Sequence, residues 1–75
     1  MAKVIITGWR EGLLKISFTH LLREYFHHGL KDAKGIVDRV LEGETITILS
    51  ENIEIASKFN EEAKIIGVIC HVIKE

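Results

Sequence analysis

The spacing of apolar residues shifts repeatedly along this chain, and each shift predicts an element. Residues 2–7 form a short β-branched run bounded by Gly8, which predicts a strand. Gly8-Trp9-Arg10-Glu11-Gly12 predicts a glycine-bracketed turn. From Leu13 the period lengthens. Leu14, Phe18, Leu21, Leu22 and Tyr25 recur at helical spacing, and Phe26 extends the same apolar face. Gly29 is expected to end this helix, because glycine adopts the left-handed C-terminal conformation without steric cost. Leu30, Ala33, Val37, Val40 and Leu41 then define a second helix closed by Gly43. The connection is so short that the two helices must turn sharply against each other.

Residues 45–49 alternate with period two and predict a second strand. Ser50 is the expected N-cap of a third helix. Ile53 stands where a capping box would need Glu or Gln. Ala56, Phe59, Ala63 and Ile66 supply that helix's apolar stripe, Gly67 stops it, and residues 68–73 form the last strand before a charged Lys74-Glu75 tail. The predicted order is β-α-α-β-α-β. The fold class is therefore α+β, a two-layer sandwich with helices on one face of a three-stranded sheet.

That arrangement leaves an anomaly. If Val68, Cys70 and Val72 face the helices, then Ile69, His71 and Ile73 occupy the open face, and Lys3, Ile5 and Thr7 join them from the first strand. An open face this apolar points to burial by a second copy or a partner, through Ile5, Ile69, His71 and Ile73. The alternative is that scattered surface isoleucines are ordinary.

Composition narrows the classes. Seventy-five residues make one expected domain, 1–75, with a thin core. A formal net charge of −1 argues against a dedicated nucleic-acid module, which carries a basic excess. One cysteine allows no internal disulfide and fits a reducing cytoplasm. The start, Met-Ala-Lys, runs straight into the first strand without a signal-peptide pattern, and no apolar run is long enough to span a bilayer. A soluble cytoplasmic protein with no membrane partner is the expectation.

Candidate chemistry is sparse. Lys15, Ile16, Thr19 and Arg23 avoid the apolar stripe of the first helix, so they face solvent or a partner. Cations beside an exposed isoleucine suit an acidic, partly apolar protein surface. The competing reading is a plain solvated helix face. His20, Glu24 and His27 fall on one helix face with His28 beside it, an alternative zinc or ligand face. The spacing is not the metalloprotease one, in which Glu directly follows the first His. Cys70 between valines reads as a small buried hydrophobe. Trp9 at its turn reads equally as a binding anchor or as a cap on the core. Gly8 and Gly12 lack the Gly-Lys-Ser/Thr of a phosphate loop, and no nucleophile–base, paired-carboxylate or cofactor signature appears. The expectation is no enzyme and no cofactor.

The run Gly29-Leu30-Lys31-Asp32-Ala33-Lys34, followed by Ile36-Val37-Asp38, resembles the second helix of the C-terminal domain of the bacterial ribosomal stalk protein. That family carries Gly-Leu-Lys-Glu-Ala-Lys-x-Leu-Val-Glu there. The resemblance continues through Lys15-Ile16, Arg23, Ser50-Glu51, Glu61-Glu62-Ala63 and Gly67, about the whole chain. It implies a non-catalytic module whose first two helices contact translational GTPases or another ribosome-associated factor. Carried over by position, the surface is Lys15, Ile16, Thr19, His20, Arg23 and Lys34, with Lys31 at its edge. The family tends to have isoleucine where Thr19 stands, lysine where His20 stands and a small residue where Glu24 stands. No counterpart of the stalk protein's N-terminal dimerisation domain and hinge is present, so a stand-alone relative is expected. Tyr25-Phe26 and the Ala33-x-x-Ile36 spacing are also similar to the Clp-protease adaptor for N-terminal degrons, which shares the fold class. Here the corresponding loop, Trp9-Arg10-Glu11-Gly12, lacks that adaptor's acidic cluster.

Overall fold

The computed structural model describes residues 1–74. Six elements follow one another: β1 (Ala2–Trp9), α1 (Lys15–Phe26), α2 (Leu30–Leu41), β2 (Ile46–Ser50), α3 (Ile53–Ile65) and β3 (Val68–Lys74). The three-stranded sheet has the order β2-β1-β3, with both neighbours antiparallel to the central β1. This is the predicted α+β order, with the helices on one side of the sheet.

Period-two alternation decides which strand residues are buried. Ala2, Val4 and Ile6 of β1, Ile46 and Ile48 of β2, and Val68 and Cys70 of β3 point at the helices and are buried. Phe18 and Leu22 of α1, Ala33, Val37 and Val40 of α2, and Ala56, Phe59 and Ala63 of α3 meet them. Phe59 lies at the centre of the aromatic packing. Its ring centroid is 4.8 Å from that of Phe26, and it meets Tyr25 edge-on at 6.1 Å. Each large side chain buried in this way contributes about 1.5–3 kcal/mol relative to exposure.

Several local expectations are corrected. β1 runs on to Trp9, because a bulge at Thr7 absorbs one extra residue. Ile6 pairs with Cys70 and Gly8 with Ile69, so the predicted turn loses its first two members to the strand. Leu14 is not on the apolar stripe. It is the exposed N-cap of α1 and offers no side-chain oxygen. Gly29 does not end α1. The helix closes at Phe26, and His27 takes the left-handed conformation (φ 57°), while Gly29 is the extended N-cap of α2 (φ −67°). Ser50 does not cap α3 either. It is the buried last residue of β2, and its hydroxyl donates to the Asn52 carbonyl at 2.9 Å. The cap is Asn52, whose Oδ1 accepts the amides of Glu54 (2.8 Å) and Ile55 (3.4 Å). Lys74 belongs to β3, and Glu75 of the expected tail lies outside the described residues.

The loop after β1 is stitched to the turn between α3 and β3. The Arg10 amide donates to the Gly67 carbonyl (2.7 Å), the Leu14 amide to the Ile66 carbonyl (3.1 Å), and the Arg10 guanidinium to the Lys64 carbonyl (2.8 Å). These bonds fix the start of α1, and with it the residues that open the candidate site.

Candidate protein-docking face

The first two helices lie against each other with a shallow groove between them. Lys15, Ile16 and Thr19 line it from α1, and Lys34, Val37 and Asp38 from α2. At about 240 Å³ the groove falls below the range of small-molecule pockets, about 300–1,000 Å³. Ile16 is 78% exposed on its rim, second among the large aliphatic side chains to Ile65 at 83%. Thr19 is half-buried, and its hydroxyl donates back to the Lys15 carbonyl at 3.0 Å. That bond occupies the threonine within its own helix and leaves its methyl group for the groove.

His20 and Arg23 stand one and two turns further along α1. They line a second hollow with Glu24, His27 and His28, rather than the groove itself. Lys31 is exposed and lines neither. The sequence-predicted surface therefore splits. Lys15, Ile16, Thr19 and Lys34 come together, His20 and Arg23 flank them, and Lys31 stands apart. Among the described residues none of Lys15, Arg23, Lys31 or Lys34 is paired with a carboxylate; the Arg39–Glu44 pair, at 3.3 Å, is elsewhere on the surface.

The histidines do not assemble a metal centre. Among the described residues no group of three His, Cys, Asp or Glu side chains is placed to hold a metal ion. His27 takes the left-handed conformation at the end of α1 (φ 57°) and still lines the same hollow as His20, Glu24 and His28. His28 turns inward beside the Phe26 ring, and its Nδ1 is buried without a hydrogen-bond partner.

Two groups titrate away from their ordinary values. The Tyr25 phenol donates to the Glu62 carboxylate, and that bond, with burial and the nearby negative charge, pushes its pKa up to about 12. Burial also raises the Cys70 thiol, against an opposing pull from Lys64. Neither group lines the groove between α1 and α2.

Some of the surface was not anticipated from sequence. Val37 reads as core by its spacing, yet it also floors the groove. On the opposite flank of α1, Ser17, His20, Leu21, Glu62, Ile65 and Ile66 line a mainly apolar hollow, with Ile65 83% exposed. The signal was present in the sequence. Ile65 falls outside the Ala56-Phe59-Ala63-Ile66 stripe, so a large apolar residue had to face solvent.

The open sheet face carries the expected isoleucines, interrupted by Lys3, which pairs between Leu49 and Ile73, and by Thr47 beside Ile5. Ile69 and Ile73 are 44% and 41% exposed, His71 is exposed, and Ile5 is half-buried between them and β2. Leu49, 61% exposed, extends the face across β2. Among the described residues no helix is long and apolar enough to cross a membrane. Comparison with family models, with curated proteins and with solved structures finds no match to this chain.

Proposed function

We propose that this chain is a non-catalytic protein-interaction module. It binds a protein partner through the groove between α1 and α2 and a second copy of itself through the sheet. The observation that carries the reading is Ile16, exposed beside Lys15, Thr19 and Lys34, with cations that no described carboxylate neutralises. A protruding apolar anchor flanked by two lysines, with Asp38 as the one acid lining the same groove, matches an acidic, partly apolar protein surface. The resemblance to the stalk C-terminal domain supplies the partner class: a translational GTPase or another ribosome-associated factor.

Affinity purification of the tagged chain from its native cells tests this reading. Recovery of a ribosome-associated factor, lost with Lys15→Glu plus Arg23→Glu while the circular dichroism spectrum is unchanged, is the expected result. Both side chains are exposed, so the double variant leaves the core intact. A partner retained in full by that variant would overturn the assignment of the face.

A further inference from the structure

β3 is an edge strand. Among the described residues the order β2-β1-β3 leaves one side of Val68–Lys74 without a neighbouring strand, and the seven residues make it longer than the opposite edge, β2, with five. Its edge is also unguarded. The chain has no proline, the bulge lies on the β1 side at Thr7, and the one lysine of β3 is its last residue. Proteins ordinarily blunt such an edge with charge, proline or a bulge, because unpaired amides and carbonyls recruit another strand.

The side chains of β3 match themselves when the strand is reversed. In an antiparallel pair, opposed residues share a face of the sheet. A two-fold axis centred on His71 sets Ile69 against Ile73 of the second copy, and Ile73 against its Ile69, on the open face. On the helix side it sets Cys70 against Val72 of the second copy, which covers a Val72 left half-exposed at the rim of the core. Centring on Cys70 instead sets Ile69 against His71 and leaves Ile73 beyond the paired stretch. Centring on Val72 sets His71 against Ile73 and Lys74 against Cys70; the His71 register keeps isoleucine on isoleucine and brings Lys74 opposite Val68 only at the two ends of the paired stretch. A one-residue slip puts the open face of one copy flush with the helix-covered face of the other. The β2 edge has no such symmetry: about Ile48 it opposes Thr47 with Leu49 and Ile46 with Ser50.

We propose that two copies of this chain pair antiparallel along β3, with the two-fold axis at His71. The two three-stranded sheets thereby join into one of six strands. This rests on the reading that the chain self-associates through its sheet, but it joins edges instead of covering the open face: Ile69, His71 and Ile73 meet their counterparts, while Ile5, one strand inward, is not reached.

Light scattering on the full chain across a wide dilution series, together with cysteine cross-linking in a Cys70→Ala background, tests it. A dimer is expected. His71→Cys should oxidise to a disulfide-linked dimer, because opposed residues across an antiparallel pair lie about 4.5–5.5 Å apart at Cα, within disulfide reach. Ile69→Cys should not, because its counterpart lies about 13 Å further along the strand. His71→Lys, which sets two ammonium groups face to face at the axis, should weaken the dimer roughly tenfold or more with an unchanged circular dichroism spectrum. A dimer that cross-links equally at both positions, or at 69 and not at 71, overturns the β3 pairing but leaves self-association standing. A monomer at every concentration overturns both.

Discussion

Replacing Gly67 with alanine puts a methyl group against the backbone of the β1–α1 loop. Gly67 has φ +105°, a region that costs an L-residue about 1–2 kcal/mol. The added Cβ would lie 3.0 Å from Leu13 Cα and 3.4 Å from Leu13 N, so the contact is with main chain, not with a side chain that can rotate away. Leu13 cannot withdraw freely. The flanking bonds from the Arg10 amide to Gly67 (2.7 Å) and from the Leu14 amide to Ile66 (3.1 Å) hold it, and stretching them sacrifices part of about 1 kcal/mol each. The sum is about 2–4 kcal/mol, against a total stability of roughly 4–11 kcal/mol for a chain of this length. The melting temperature should fall by roughly 10–30 °C. Gly12→Ala is the control. Its φ is +91° but nothing lies within 4 Å of the added Cβ, so it should lose the backbone strain alone, about 1–2 kcal/mol. Urea titrations of the two variants, read by circular dichroism, give the comparison, with m expected to stay constant. Equal losses would refute the close approach of Leu13 and with it the stitching of the loop to the α3–β3 turn.

Asn52→Ala should cost about 1 kcal/mol, since it frees the Glu54 and Ile55 amides, and Asn52→Asp should restore most of it; urea titration reads both, and no loss would show that the side chain does not cap α3. Tyr25 should titrate at about 12 instead of its ordinary 10, followed by tyrosinate absorbance, and Glu62→Gln should bring it back toward 10. Because the folded value is the higher one, the stabilisation from this contact is full below pH 10 and is lost as pH rises toward 12. A midpoint at 10 in the unmodified chain would refute the Tyr25–Glu62 bond.

The element order was legible because each element repeats its own period. The alternation in β1, β2 and β3 and the three-to-four spacing in the helices survive any arrangement in space. Boundaries were less legible where two local solutions compete. Gly29 is the better left-handed residue, yet His27 takes that conformation and Gly29 lies in ordinary extended geometry as the N-cap of α2. Ser50 is a good cap by type, but β2 pairing with Ala2 claims it, and the cap passes to Asn52. The bulge at Thr7 carries no pattern of its own. It follows from fitting β1 against β3.

By itself, the sequence determined which residues are apolar and at what period. That fixes the six elements, the inward faces of the strands and the surplus of isoleucine on the open face, because periodicity is a property of the chain alone. Only the tertiary structure decided that Lys15, Ile16, Thr19 and Lys34 share one groove while Lys31 does not, and that β3 rather than β1 has a free edge. Those are relations between elements. They depend on how α1 crosses α2 and on which strand takes the centre of the sheet, choices made by packing Phe18, Leu22 and Phe59 into one core.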